Sequence, residues 1–475
     1  MNVRIRRVDL FIDACQTRIP FRFGMTTMEE APLLTARVEV EVNGVPRAGF
    51  AADLLVPKWF DKNPATSVSK DRAALIDSAR SAAASWCALE TEGGVFEQWW
   101  HVYQERVHRI PETSPDRLVR GFGVALIERA VIDATCRGAG LSFFEALRVD
   151  LFGVHAQQVH PELTNWSASE AVTRKLPRHV HVRHTVGLAD PLRDSEVEES
   201  DADGLPRSLE QNVSAYGLEF FKVKVAGDPA ADLERLSTIA RILSDSCPDP
   251  HWTADGNEQF EDPADLARTL DALARDAVGA RFVEKLLYVE QPVPRAATFE
   301  PGRQQGLAAL TERAPVIIDE ADHGVEAFPR ALELGYRGVS VKNCKGVFRA
   351  LLNRGICDVR GEGTFQSAED LTNLGVLPLQ QDLATVAALG LRHVERNGHH
   401  YFRGLDHLPL AEARAAYESH PTLYAPLDGG GVCLRIEAGC LDLSSLDVPG
   451  FGYDIDFHVR TRTPVADWDG AERLR

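Results

Sequence analysis

"EFFKVKVAG", residues 219–227, is the stretch from which the fold can be read. Successive side chains of an extended strand point to opposite faces, so Phe220, Lys222 and Lys224 share one face while Phe221, Val223 and Val225 share the other. One face is apolar and the other carries two ammonium groups, an expensive arrangement that needs a chemical reason.

Seven further short runs rich in Val, Ile, Phe and Tyr accompany this one: "VHVRHTVGL" (180–188), "HWTAD" (251–255), "LLYVE" (286–290), "VIIDE" (316–320), "GVSVK" (338–342), "GTFQSAE" (363–369) and "RHVE" (392–395). Helical text separates them, as in "PAADLERLSTIARILSDS" and "DPADLARTLDALARDA". Strands alternating with helices imply parallel pairing, and eight such units imply an α/β fold closed as a (β/α)8-type, TIM-like barrel. The acidic stretch 190–211, poor in apolar residues, reads as a solvated insertion between the first and second barrel strands.

Before about residue 150 the pattern differs. Residues 36–52, "ARVEVEVNGVPRAGFAA", alternate apolar and polar around Asn43-Gly44, a pair suited to a two-residue hairpin turn. Helical stretches follow, "DRAALIDSARSAAASW", "GGVFEQWWHVYQERVHRI" and "GFGVALIERAVIDATCRGAG", the last with Gly138 as its expected stop. The chain therefore divides into an α+β unit over 1–150 and a barrel over 151–404, with 405–475 expected to rejoin the first unit.

Composition removes several classes of function. The 475 residues are 44% hydrophobic, enough for at least one large core, and the formal charge of −18 argues against a nucleic-acid partner. No apolar run approaches the ~20 residues of a membrane span, and the start lacks a signal-peptide core, so a cytoplasmic location is expected. The eight cysteines form no C-x-x-C pair, which fits a reducing compartment.

Asp255, Glu290 and Asp319 each close an apolar run, at intervals of 35 and 29 residues, about one βα unit apart. The C-terminal strand ends form the active face of such a barrel, so three carboxylates should converge there. Left alone they repel one another, and a hard divalent cation relieves this; an all-oxygen set suits Mg2+, with Mn2+ as substitute. "DGNEQFEDPADL" is no EF-hand loop, because Phe260 stands where glycine is required. Lys224 ends the strand before Asp255 and Lys342 ends the strand after Asp319, so two amines flank the mouth as base and acid. Near a bound cation an amine's pKa falls toward neutrality, as a general base requires. Lys222, one step deeper, reads as an electrostatic neighbour.

Five motifs in this order, "KVK" (222–224), "DGN" (255–257), "EQP" (290–292), "DE" (319–320) and "SVK" (340–342), resemble the enolase superfamily, specifically its muconate lactonizing enzyme subgroup. "LIERAVIDATCRGAGLSFFEAL" resembles that family's capping domain and its junction to the barrel. The resemblance implies that 1–150 is a capping domain, that Asp255, Glu290 and Asp319 bind Mg2+ with Asn257 and Glu320 close by, and that Lys224 and Lys342 work on opposite faces of an enolate. Lys342, and a next strand carrying Glu369 and Asp370 with no histidine, point away from the mandelate racemase-like subgroup. Glu395 occupies the place of an auxiliary or specificity acid, with His399 and His400 just beyond it.

The implied reaction is removal of the α-proton from a small-molecule carboxylate, ending in racemisation, epimerisation or cycloisomerisation, or in β-elimination when a leaving group departs. The cap loops 19–30 and 51–63 are expected to close over the ligand, with Met25, Trp59 and Phe60 as an apolar lining. A Schiff-base aldolase and a non-catalytic barrel are the competing readings; the first leaves the three acids unexplained. A homo-oligomer is expected.

Overall fold

A computed structural model describes residues 1–89, 93–198, 203–300, 302, 304–428 and 430–468. The amino-terminal unit is built on strands β1 (Val3–Asp13), β2 (Gln16–Phe23), β3 (Thr26–Glu30), β4 (Leu33–Val42) and β5 (Val45–Leu54). β1, β4 and β5 form an antiparallel sheet, and β2 and β3 a separate hairpin. Asn43 and Gly44 both take positive φ, 49° and 81°, and join β4 to β5 as the dipeptide predicts.

Helices Val68–Cys87 and Arg117–Ala139 cover this sheet. The second runs through Gly138, the expected stop, and ends at Gly140, whose φ of 67° is the left-handed C-cap. Gly138 serves packing instead: a Cβ there would lie 2.9 Å from three atoms of Val42. A short strand, Thr463–Pro464, pairs with β1, and Phe451 N and Tyr453 OH both donate to Asp133 of the second helix. The carboxy-terminal segment thus packs on the amino-terminal unit.

Eight parallel strands follow: β6 (His179–Val186), β7 (Phe220–Lys224), β8 (His251–Asp255), β9 (Leu286–Glu290), β10 (Val316–Ile318), β11 (Gly338–Val341), β12 (Phe365–Ala368) and β13 (His393–Arg396). They pair in sequence order, and β13 returns to β6, with Glu395 opposite Arg183, so the sheet closes into a barrel. Each predicted apolar run coincides with one of these strands, to within one residue for β6 and β13. Outward residues such as Val182, Phe221, Val223 and Trp252 are buried under the helices, as parallel strands covered on their outer face require.

The segment 190–211 departs from its expected solvation. Residues 199–202 lie outside the described residues, but Asp190, Leu192 and Ser208 are buried, and Ser208 caps a helix beginning at Leu209. Asp203 is held from β2: Arg18 Nε and Nη2 donate to its two oxygens at 2.6 and 2.9 Å, and the same guanidinium reaches the carbonyls of Leu205, Pro206 and His400. An insertion that engages the β2–β3 hairpin this closely is part of the fold. No helix among the described residues is long and apolar enough to cross a membrane, and all eight cysteines are free thiols.

Candidate active site

Strand alternation and register place the charged residues in layers along the barrel axis. Lys224 is registered with Asp255, and Asp255 with Glu290, so these three stand in one row at the C-terminal ends of β7, β8 and β9. Asp319 follows β10 directly, and Lys342 follows β11. The next inward-facing row by register is Thr185, Lys222, Thr253 and Tyr288; Arg183 is registered with Phe220, which packs between the rings of His251 and His393 at 5.1 and 5.0 Å.

Each of the three carboxylates faces an ammonium. Lys224 Nζ lies 2.6 Å from Asp255 Oδ2, and Lys342 Nζ lies 2.6 Å from Asp319 Oδ2. Lys222, fully buried, has four carboxylates about it: Glu290 and Glu369 at 2.7 Å, Glu395 at 2.8 Å and Asp255 at 3.0 Å. Among the described residues no three His, Cys, Asp or Glu side chains already converge as a ligand set. Like charges in a low-dielectric interior separate and take the nearest cationic partners, which here are lysines.

Glu290 is the exception in its satisfaction. It is buried, and neither carboxylate oxygen receives a hydrogen bond, although Lys222 lies close. Burial, with Asp255 and Glu369 nearby, pushes its carboxyl well above the usual range, more than Lys222 offsets. Glu320 Oε2 and Asn257 Oδ1 are also buried without a donor. Burial pushes Asp319 up too, but Lys342, Lys345 and Lys222 overcome this and hold it well below the usual range. Orphaned hard oxygen acceptors around a row of acids fit a hard divalent cation, once Asp255 and Asp319 turn from their lysines.

Beside Asp319, Lys342 holds its proton firmly. Burial lowers Lys342, but the adjacent Asp319 carboxylate more than reverses this and its pKa is raised. Lys222 stands well above the ordinary value for the same reason, burial being outweighed by its acids. An ammonium beside a full carboxylate keeps its proton; Lys342 can release it only where Asp319 is neutralised by another cation.

The other expected residues fall in different places. Asn257 N donates to Asp255 Oδ1 at 2.8 Å, and Asn257 Nδ2 to Glu320 Oε1 at 3.3 Å, so Asn257 and Glu320 border the acids. Glu369, directly past the end of β12, and Glu395, on β13, lie against Lys222; Asp370 N donates to Glu395. Trp59 is buried with its ring 4.6 Å from Lys342 Nζ, whereas Phe60 packs on Phe122 inside the amino-terminal unit. Met25, at the tip of the β2–β3 hairpin, is 51% exposed, and the tip passes over Asn257 and Gln259. His399 and His400 pack with His184 and Asp190, away from the acids.

Several neighbours of the site carry a weaker sequence signal. Lys62 Nζ, from the 51–63 loop, donates to Asn257 O at 2.7 Å and pairs with Glu258 at 2.6 Å, bridging the two units over the mouth. Gln291 Oε1 accepts from Asp319 N and Ala321 N, tying the ends of β9 and β10 together. Asn257, Glu258 and Gln291 take φ of 39°, 69° and 34°, conformations costly for non-glycine residues and concentrated just past Asp255 and Glu290. Lys345 approaches Asp319 Oδ1 at 3.3 Å and donates to Ser340 Oγ at 2.7 Å. The middle letter of "EQP" signalled Gln291, and a lysine three residues past Lys342 signalled Lys345. A cavity of about 460 Å3 lined by Leu118, Arg295, Phe299, His323 and Arg330 lies beside this cluster and does not include the acids.

A profile of the family described as "Enolase C-terminal domain-like" matches residues 204–403. Among solved structures, a dipeptide epimerase from Enterococcus faecalis V583, complexed with Mg and the dipeptide L-Leu-L-Tyr, is similar with a TM-score of 0.60 at 16% identity, covering 94% of this chain and 99% of that one. An enolase from Bradyrhizobium complexed with magnesium and mandelic acid gives 0.60 at 15% identity, covering 96% of each chain. A muconate lactonizing enzyme from Pseudomonas fluorescens complexed with muconolactone gives 0.59 at 16% identity, covering 95% of this chain and 97% of that one. No curated protein matches the sequence.

Proposed function

We propose that this chain is a Mg2+-dependent enzyme of the enolase superfamily, of the mandelate racemase and muconate lactonizing enzyme type, that removes the α-proton of a small-molecule carboxylate; the match of residues 204–403 to an enolase C-terminal domain-like profile supports this. Racemisation, epimerisation or cycloisomerisation is the outcome favoured, with β-elimination on the same course as the alternative. The observation that carries this reading is Glu290: a fully buried carboxylate without a hydrogen-bond donor, in one row with Asp255 and Lys224 and near Asp319. A core made only for stability seldom leaves such a group, because a buried carboxylate with no hydrogen bond is costly even beside an ammonium.

Asp255, Glu290 and Asp319 would hold the ion, with Asn257 and Glu320 beside them. A magnesium ion there supplies fixed positive charge for the substrate carboxylate and for the negative charge that grows as the α-proton leaves. Lys224 and Lys342 stand at either end of the row and reach the two faces of the α-carbon. One takes the proton at its Nζ and the other returns one, which inverts the centre; when neither returns it, a β-substituent leaves. Trp59 shields Lys342 from water, and Lys62 fixes the 51–63 loop over the mouth. The ligands of the solved neighbours, a dipeptide, mandelic acid and muconolactone, are all carboxylates, which supports the substrate class without choosing within it.

The test is α-deuterium exchange. The protein with Mg2+ is incubated in deuterated water with acyl amino acids, dipeptides and hydroxy acids, and followed by NMR. Exchange in one class, abolished by chelator and restored by Mg2+, supports the proposal. A Lys224→Ala, Lys342→Ala double variant that exchanges as fast as the wild type sinks it.

A further inference from the structure

The charge around Lys222 is organised from a residue that the proposed chemistry does not use. Arg183, on β6, is fully buried inside the barrel. Its Nη1 lies 2.7 Å from His393 Nδ1, its Nη2 donates to Ala368 O at 2.9 Å, and Nη2 also donates to Glu369 Oε1. An arginine can only donate, so His393 Nδ1 is the acceptor and that ring is neutral. Glu369 turns its other oxygen to Lys222 Nζ at 2.7 Å.

Lys222 has three N–H donors and four carboxylates within 3.0 Å. Glu369 and Glu395, from β12 and β13, receive its hydrogen bonds, and Asp255 and Glu290, from β8 and β9, share what remains. The first pair therefore competes with the second for one ammonium. Arg183 acts on that competition, because each hydrogen bond it gives Glu369 lessens that carboxylate's demand on Lys222.

We infer that Arg183, fixed by His393, is a positioning residue that sets how Lys222 divides its charge between Glu369 and the Asp255–Glu290 pair, and through this the affinity of the mouth for a divalent cation. The inference rests on the metal reading above. It adds that metal affinity is set by residues that touch neither metal nor substrate.

The experiment is Mn2+ binding, followed by the electron paramagnetic resonance of free Mn2+, on the full chain. In Arg183→Gln, Glu369 keeps Lys222 as its one cationic partner, the ammonium turns inward, and Mn2+ binds about tenfold tighter. In Glu369→Gln the ammonium turns to the mouth and Mn2+ binds about tenfold weaker. Because Arg183 acts through Glu369, the double variant binds Mn2+ within about threefold of Glu369→Gln alone. His393→Leu alters no charge but frees Nη1 for Glu369, which releases Lys222 toward the mouth and weakens Mn2+ binding by about threefold; electrostatics without positioning predicts no change there.

Single variants that bind Mn2+ as the wild type does, or shift in the same direction, overturn the inference while leaving the metal reading intact. Unchanged binding in His393→Leu overturns the positioning role. A wild type that binds no Mn2+ overturns both. Should Arg183→Gln fail to fold, Glu369→Gln decides alone: weaker binding supports the inference, and equal or tighter binding ends it.

Discussion

Lys224 and Asp255 occupy registered positions on adjacent strands, with Nζ 2.6 Å from Oδ2, and Lys342 and Asp319 repeat the contact at the same distance across the mouth. A lysine and a carboxylate thus stand at each end of the row. If the two lysines serve opposite faces, replacing one leaves the other face working. Lys224→Ala and Lys342→Ala should each abolish α-exchange from one enantiomer and spare it from the other. The affected rate should fall by about 10²–10⁴. Chiral substrates in deuterated water give the measurement; equal loss from both enantiomers in each variant would refute the two-face assignment.

Replacing Glu290 should separate stability from metal binding. Its carboxylate is buried without a donor, so Glu290→Gln removes an unfavourable charge and should leave the metal-free protein as stable as the wild type, or more so. Saturating Mg2+ at 100 times its Kd adds about 2.7 kcal/mol to a protein that binds it. The wild-type melting temperature should therefore rise with Mg2+ and that of Glu290→Gln should not, by calorimetry with and without the ion.

The β2–β3 hairpin is pinned through Arg18, whose donors reach Asp203 and three backbone carbonyls. Because its tip passes over Asn257 and Gln259, loosening it should cost closure more than chemistry. Arg18→Ala should raise KM about tenfold, equal to about 1.4 kcal/mol of closing energy, with kcat within about threefold. Steady-state kinetics on whichever substrate exchanges will show this; an unchanged KM would mean that the hairpin does not gate the mouth.

Glu128, on the helix Arg117–Ala139, gives a stability prediction with a definite sign. Burial pushes its pKa up to about 8, despite the hydrogen bond from Phe348 N, whereas an unfolded glutamate titrates near ~4.3. The contribution is fully present below the unfolded value. As pH rises above it the unfolded chain loses the proton while the folded one keeps it, so stability falls by up to about 1.4 kcal/mol per pH unit until pH passes the folded value. Asp53 and Asp370, raised by burial to about 6 and about 7, add slopes of the same sign. Denaturant melts from pH 5 to 8 should show a shallower decline in Glu128→Gln than in the wild type; parallel curves would place the proton elsewhere.

The linear sequence determined what depends on local periodicity. The alternation in "FFKVKV" assigned Lys222 and Lys224 to the inner face, and the endings of "HWTAD" and "LLYVE" set Asp255 beside Glu290, because strand period and βα length are properties of neighbouring residues. The same alternation in "VHVRHTV" sends Arg183 inward, a signal legible but not followed. Tertiary structure alone decided whom those side chains meet. Lys222 finds Glu369 and Glu395 at sequence separations of 147 and 173, Arg183 finds His393 where β13 closes on β6, and Lys62 reaches Glu258 from another unit. Partners so distant are joined by barrel closure and by one unit docking on another, which burial of the whole chain selects and no short stretch encodes.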